Sequence, residues 1–185
     1  MIRPLLSKAI YLVCLLGALN QLVWSQSTYR SATSNFRTSH ISVDNGLTQG
    51  SVYYMFKDSR SFLWFGTQDG LNRYDGHHFH TYRPAIGERG LPKPGAIRGI
   101  NISGIIEDPN GNLWIGTEEG LNRYDRQRDQ FDCFLAIGAD KKERTSRTLP
   151  FFVDKTELLY LSDVEGLVRF DYHNQQKTSL NASLR

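Results

Sequence analysis

Short apolar runs recur along the chain from Ser51 onward, with turn residues between them. The runs FLWFG (Phe62–Gly66) and LWIG (Leu113–Gly116) are apolar at successive positions and do not alternate with polar residues. A strand with that composition has to be covered on both faces. The pattern therefore predicts an all-β chain in which small sheets are stacked face to face.

The runs belong to an internal repeat. The segment LWFGTQDGLNRYDG, Leu63–Gly76, returns as LWIGTEEGLNRYDR, Leu113–Arg126, with ten of fourteen positions identical. A weaker third copy covers Phe151–Asp171 and ends in LVRFD. Repeats with a period of about 40–50 residues are typical of propellers and solenoids. Four short strands joined by tight turns in each copy predict a four-stranded antiparallel sheet, the blade of a β-propeller.

The repeat sets the predicted domain boundaries. Blade 1 spans 51–82, blade 2 spans 102–135, and blade 3 spans 148–185 and is truncated, with an interblade loop at 83–101. Residues 26–50 form an N-terminal segment in which FRTSHIS, Phe36–Ser42, resembles a fourth strand and is expected to be an orphan closing strand. Propellers have about four to eight blades. Three blades are an incomplete ring, so we expect the chain to be the beginning of a longer protein.

The repeated residues are predicted to be structural, because a catalytic motif rarely needs two copies at a blade period. Trp64 and Trp114 would fill the space between blades. Gly66 and Gly116 would let the neighbouring blade approach the backbone. The predicted repeat core is completed by the tyrosines of the two GLNRYD strands, Tyr74 and Tyr124.

The first 25 residues differ from the rest of the chain. Arg3 and Lys8 precede an apolar run that ends at Trp24-Ser25, which is the pattern of a secretory signal peptide. The alternative is a membrane-spanning helix, but the run is short and carries two amides near its end. We therefore predict a signal peptide at 1–25 and an exported, periplasmic protein.

Composition excludes several classes of function. The leader carries two of the 22 cationic residues and no acidic ones, so 20 cations and 19 anions remain, and nothing indicates a nucleic-acid partner. Once Cys14 is removed with the leader, only Cys133 is left. An internal disulfide is therefore excluded, and we interpret Cys133, which lies among apolar residues, as a buried structural thiol.

The segment GLTQGSVYYMFKDSRSFLWFGTQDGLNRYDG, Gly46–Gly76, resembles the first blade of two-component regulator propellers. These are the exported sensor regions of bacterial hybrid histidine kinases. LWIGTEEGLNRYD is similar to the same repeat, although Ser61 stands where the turn glycine is expected and Tyr160 replaces the tryptophan in the third copy. The resemblance implies a large periplasmic propeller, followed by an all-β domain, a membrane helix and cytoplasmic signalling domains.

The same resemblance implies what the protein does. Its ligands would be oligosaccharides, its partners the remaining blades and the signalling domains, and the intact receptor an inner-membrane homodimer. The output would be a histidine kinase or a cyclic-dinucleotide synthase. No phosphoacceptor histidine and no ATP-binding box are visible in this sequence, so we expect this chain to be no enzyme and to need no cofactor. Two alternatives stay open: a propeller-fold polysaccharide lyase or glycosidase, and a structural interaction propeller.

The most site-like stretch is the interblade loop, RPAIGERGLPKPGAIRGIN. It is longer than an ordinary connection and rich in basic residues, and long ordered loops often carry function. Our hypothesis is that Arg89, Lys93 and Arg98 contribute to a site for an anionic or polar ligand; a solvated loop is the alternative. His78 and His80 could share one face of a strand, but no Cys or acidic partner lies at ligand spacing, so we predict no metal site.

Overall fold

The structure is a computed structural model that describes Thr38, residues 40–138 and residues 141–180. The predicted signal peptide lies outside the described residues, as does most of the predicted orphan strand. His40–Ser42, the described end of that segment, is not in a strand, and Ser42 caps a 3₁₀ helix at Val43–Asn45. Fourteen strands follow among the described residues: β1 Val52–Lys57, β2 Leu63–Thr67, β3 Gly70–Tyr74, β4 Phe79–Tyr82, β5 Gly104–Glu107, β6 Leu113–Gly116, β7 Leu121–Asp125, β8 Gln130–Phe134, β9 Ala136–Ile137, β10 Glu143–Arg144, β11 Thr148–Val153, β12 Glu157–Ser162, β13 Gly166–Asp171 and β14 Gln176–Ser179.

The strands form three four-stranded antiparallel sheets in which each strand pairs with its neighbour in sequence. Blade 1 is β1–β4, blade 2 is β5–β8 and blade 3 is β11–β14. This confirms the predicted fold class. The small sheet β9–β10 was not predicted; it forms a hairpin between blades 2 and 3, which we call the linker hairpin.

Carboxylates close the tight turns of each blade. Asp75, Asp125 and Asp171 each accept hydrogen bonds from two backbone N–H groups of the turn that follows. Aspartate at the end of a strand commonly accepts such backbone hydrogen bonds in the following turn. Ser61 occupies the turn position where the second copy has Gly111, and both residues have left-handed backbones, with φ of 69° and 82°.

The two tryptophans lie between blades and are fully buried. The Trp64 ring of blade 1 meets the Tyr124 ring of blade 2 edge-on, with centroids 5.1 Å apart. The Trp114 ring of blade 2 is 5.8 Å from Phe170 of blade 3, again edge-on. Each of these two repeats thus contributes one tryptophan to the contact with the next repeat. The burial of each ring removes on the order of 200 Å² from solvent.

The glycines after the tryptophans let consecutive blades approach closely. A Cβ atom on Gly66 would lie 2.6 Å from Ile102 Cγ2, and one on Gly116 would lie 2.1 Å from the Thr148 carbonyl oxygen. Backbone hydrogen bonds join the blades beside these glycines: Ile102 N–H donates to the Thr67 carbonyl, and Thr148 N–H donates to the Thr117 carbonyl. The entrance to each following blade is therefore hydrogen-bonded to the end of the second strand of the blade before it.

The two tyrosines of the repeated strand have different surroundings. Tyr124 is buried against blade 1, whereas Tyr74 is only half-buried and packs on Phe79 of its own blade. Tyr74 is less buried than Tyr124 because no described blade precedes blade 1 and covers its ring. Apolar side chains are also exposed on β1 and blade 3, including Tyr53, Met55 and Phe151. Among the described residues, no helix is long and apolar enough to span a bilayer.

Candidate functional site

The interblade loop forms a short projecting hairpin. Gly87 N–H donates to the Leu91 carbonyl and Lys93 N–H donates to the Ala85 carbonyl, each at 2.8 Å. A 3₁₀ turn at Glu88–Gly90 makes the tip, where Arg89 has a left-handed backbone with φ of 60°. A cavity of about 570 Å³ lies along this hairpin and is lined by Ile86, Gly87, Glu88, Leu91, Pro92, Lys93 and Pro94.

The three candidate cations occupy two different places. Arg89 is at the exposed tip of the hairpin and Lys93 is on its exposed returning arm, beside the cavity. Arg98 lies beyond Gly95, whose carbonyl accepts a hydrogen bond from Phe131 N–H of blade 2. The Arg98 backbone is held by both groups of the Asn122 side-chain amide, at 2.9 and 3.1 Å. The structure thus places Arg89 and Lys93 on one hairpin and Arg98 on the wall of blade 2.

Most carboxylates near the blade turns are occupied by structural contacts. Asp69 forms an ion pair with Arg83 at 2.5 Å, and Glu118 accepts the backbone N–H groups of Ile100 and Asn101 at 3.0 and 2.9 Å. A glycosidase needs two carboxyl groups held across a sugar bond. These groups instead fix the entrance to blade 2, so their geometry serves the fold.

The histidines of GHHFH are largely in solvent. His78 is exposed over 87% of its side chain, and its Nδ1 atom is 3.9 Å from Asp75 Oδ2. His80 Nε2 lies 3.8 Å from Asp129 Oδ2. Within the ranges that the structure describes, no group of three or more His, Cys, Asp or Glu side chains is placed to hold a metal ion.

A buried ion-pair cluster joins blades 1 and 2. Arg126 Nη1 is 2.7 Å from Asp58 Oδ2, and Arg126 Nη2 is 2.8 Å from Glu107 Oε1. Asp58 also accepts the Trp64 indole N–H at 2.8 Å, and Glu107 accepts the backbone N–H and the hydroxyl of Ser59. Burial raises the pKa of Asp58, but the hydrogen bonds from Trp64 and Arg126 outweigh it and hold this pKa below its usual value.

A second polar cluster crosses the same interface. The hydroxyls of Tyr82 and Tyr124 are 3.0 Å apart, and both donate to Asp129 Oδ1, at 2.7 and 2.5 Å. Arg73 donates to the Tyr124 hydroxyl at 2.8 Å and lies over the Tyr82 ring. Burial, together with Asp129, raises the pKa of both tyrosines, so their hydroxyls stay protonated and donate.

A further cavity, of about 450 Å³, lies between blades 2 and 3 under the linker hairpin. It is lined by Cys133, Phe134, Leu135, Ile137, Glu143, Phe170, Gln175 and Lys177. Burial raises the pKa of the Cys133 thiol to about 11 and lowers the pKa of Lys177. The thiol is therefore protonated near neutral pH and reacts only slowly there.

Sequence reasoning missed both polar clusters and this cavity. One signal was present: Arg126 follows the repeated RYD where the first copy has Gly76 and the third has Tyr172. A departure inside an otherwise identical repeat marks a contact specific to one interface. Its partner Asp58, however, comes from the blade before it and Glu107 from its own blade, and no pattern in the sequence pairs them with Arg126.

Comparison with known proteins identifies the repeat. The family model described as two component regulator propeller matches residues 46–69 and 97–119. A protein named histidine kinase P4, from Formosa agariphila, is 43% identical over 54 residues, which are 29% of this chain and 4% of that protein. The two segments that the family model matches include both LW–GT strands.

Two solved structures have a similar fold. The extracellular domain of BT3049 from B. thetaiotaomicron, described as a hybrid two component system, aligns with a TM-score of 0.66 and 24% identity over 79% of this chain and 20% of that one. The extracellular domain of BT4673 from the same organism, described as a one component system, aligns with a TM-score of 0.55 and 25% identity over 73% of this chain and 19% of that one. The chain thus spans about a fifth of these structures and a small fraction of the curated relative. The chain thus contains two segments that match the two-component regulator propeller repeat, and its blades share the fold of both domains.

Proposed function

We propose that this chain is part of the extracytoplasmic, ligand-sensing propeller of a two-component receptor of the hybrid histidine kinase type. The observation that carries the proposal is the pair of matched repeats, folded as consecutive blades like those of two extracellular domains. The blades are packed through Trp64 and Trp114, and several described carboxylates, among them Asp58, Asp75 and Glu107, are used in turns and ion pairs. A binding surface on a rigid scaffold therefore fits these residues better than a catalytic centre.

The signalling step belongs to parts of the receptor other than these blades. The chain covers 4% of the related histidine kinase. We propose that the intact protein is an inner-membrane homodimer with its propeller in the periplasm, and that ligand binding outside is passed to a cytoplasmic kinase. This chain by itself is proposed to have no enzymatic activity.

We further propose that the ligand is an oligosaccharide and that the interblade loop contributes to its site. Arg89 lies at the tip of the hairpin, and Lys93 lines a cavity whose other walls are proline-rich and apolar apart from Glu88. A sugar ring packs well on such a surface, while cationic groups at the rim select ligands that carry anionic or strongly hydrogen-bonding substituents. Arg98, on the wall of blade 2, would add to the same positive potential.

The test is a binding screen on the full chain. An array of neutral and acidic oligosaccharides selects a ligand, and calorimetry then compares the parent with the triple variant Arg89→Ala, Lys93→Ala, Arg98→Ala. The matched control replaces three other cations, Lys57, Arg60 and Lys155, which are exposed elsewhere on the blades. We expect a fall in affinity of about tenfold or more in the loop variant and none in the control.

The possible results separate the parts of the proposal. Equal affinity in the loop variant and the parent would refute the loop site and leave the sensor function standing. An intact receptor that responds only to ligands other than oligosaccharides would refute the ligand class. A receptor whose kinase output is unchanged by deletion of these blades would refute the sensory role itself.

A further inference from the structure

The two described blade interfaces are built from the same positions of the repeat, which allows a direct comparison. The Tyr82–Leu71 strand pair of blade 1 corresponds to the Phe134–Leu121 pair of blade 2. In the same way, the Phe131–Tyr124 pair of blade 2 corresponds to the Lys177–Phe170 pair of blade 3. Two residues before Phe131 and Lys177 stand Asp129 and Gln175, both with left-handed backbones. Four positions at the first interface, Tyr82, Tyr124, Asp129 and Phe131, therefore correspond to Phe134, Phe170, Gln175 and Lys177 at the second.

At the first interface these four side chains fill the space. The Phe131 ring packs 5.2 Å from the Tyr82 ring and 5.1 Å from the Tyr124 ring, measured between centroids. The two tyrosine hydroxyls share the Asp129 carboxylate. Aromatic rings and hydrogen bonds thus occupy this part of the first interface.

At the second interface the same four positions line the cavity of about 450 Å³. The Phe134 and Phe170 rings, 5.1 Å apart, lack the hydroxyls, and an ammonium group stands where the first interface has the Phe131 ring. A cavity of this size suits a small organic molecule. The departures from the repeat have therefore opened a space with an aromatic wall and one cation.

The charge of Lys177 is only partly compensated in that space. Its ammonium group donates to the Leu135 carbonyl and forms an ion pair with Glu165 Oε1 at 3.9 Å, a separation too long for a hydrogen bond. The two Glu165 oxygens already accept from Ile137 N–H and the Tyr160 hydroxyl, at 3.0 and 2.9 Å. An ammonium has three donors, and a half-buried one gains most from a partner that is itself charged.

We propose that the cavity between blades 2 and 3 is a binding site for a small carboxylate attached to an apolar ring. The ring packs against Phe134 and Phe170, and the carboxylate accepts from the Lys177 ammonium and the Gln175 amide. Glu143 at the rim is exposed on the linker hairpin, where water screens its charge. This site is separate from the interblade loop and does not depend on the proposed oligosaccharide ligand.

The test uses benzoate as the probe and benzyl alcohol as its neutral counterpart of nearly the same shape. Calorimetry on the full chain measures affinity. A second readout is protection of Cys133, which lines the cavity, from a maleimide, followed by mass spectrometry of the Cys133 peptide. We expect benzoate to bind at millimolar concentration and to protect Cys133, and benzyl alcohol to bind about tenfold more weakly or worse.

Two variants and one control decide the result. Lys177→Met should weaken benzoate binding about tenfold or more, since it removes the cation and keeps the side-chain length. The quadruple change Phe134→Tyr, Phe170→Tyr, Gln175→Asp, Lys177→Phe copies the first interface into the second and should abolish both binding and protection. Tyr82→Phe, which makes the reverse substitution at the corresponding position of the filled interface, should alter neither. Benzoate binding that is unchanged in Lys177→Met, or equal affinity for benzoate and benzyl alcohol, would overturn the proposal.

Discussion

Adding one methyl group at Gly116 tests whether consecutive blades are packed through these glycines. In Gly116→Ala, the new Cβ would lie 2.1 Å from the Thr148 carbonyl oxygen and 2.6 Å from Pro150 Cδ, whereas ordinary contacts begin near 3.4 Å. The first atom is backbone, so it cannot turn away as a side chain would. Relief requires β11, and blade 3 with it, to move away from blade 2 by about 1 Å, judged against ordinary van der Waals contact.

The expected loss of stability follows from that displacement. Overpacking a buried site destabilises by about 1–3 kcal/mol, and loss of the Thr148 N–H bond to Thr117 adds about 1 kcal/mol. We therefore expect the free energy of unfolding to fall by about 3 kcal/mol, which corresponds to about 10 °C in Tm for a chain of this size. Gly66→Ala should have a smaller effect, because its nearest contact is the Ile102 side chain.

Urea unfolding followed by tryptophan fluorescence measures this difference, since Trp64 and Trp114 both lie between blades. Gly50→Ala is the matched control, because a Cβ there meets nothing within 4 Å. It should leave stability unchanged or raise it by a few tenths of a kcal/mol through the unfolded state. If Gly116→Ala unfolded at the same urea concentration as Gly50→Ala, the packing of blade 3 against this glycine would be refuted.

Three further predictions concern charged and titratable groups. Arg126→Met should destabilise the chain by about 3–5 kcal/mol in urea unfolding, because it leaves the Asp58 carboxylate buried without its cation. Arg128→Met, at a half-exposed arginine, should change stability by less than about 1 kcal/mol. Equal effects of the two variants would contradict the role of the buried ion-pair cluster. The pKa of Asp58 is lowered in the folded chain, so its carboxylate stabilises the fold above the unfolded pKa of about 3.9, and this contribution is lost as pH falls through the folded pKa. Asp58→Asn should remove that part of the acid-induced loss of stability. An unchanged dependence of stability on acid pH would contradict the lowered pKa of Asp58. Cys133 has a pKa of about 11, so about 0.1% is thiolate at pH 8; its alkylation rate, measured on its peptide, should rise up to about pH 11, and a plateau near pH 8 would show an ordinary exposed thiol.

The sequence predicted the fold well because the repeat appears nearly unchanged in two copies. The strands LWFGT and LWIG, apolar on both faces, predicted blades stacked face to face, and the structure has three four-stranded sheets with blade 2 packed between blades 1 and 3. The linker hairpin was missed, because β9 and β10 are two residues each and carry no periodic pattern.

Candidate sites were much harder to predict. The interblade loop drew attention through its length and its cations, yet the structure separates Arg98 from Arg89 and Lys93. The two polar clusters and the cavity under the linker hairpin join residues of neighbouring blades, such as Asp58 with Arg126 and Cys133 with Lys177. Because these residues are about 40 to 70 positions apart in the sequence, no local sequence pattern indicates that they meet.

By itself, the sequence determined that this chain folds as propeller blades, since a composition that is apolar on both faces, repeated at a fixed period, leaves few other ways to bury the strands. Tertiary structure alone decided which side chains meet between blades. Equivalent positions gave a filled aromatic cluster at one interface and a cavity with a half-buried lysine at the other. The physical reason is that strand burial depends on local composition, whereas an interface depends on how two separate surfaces fit together.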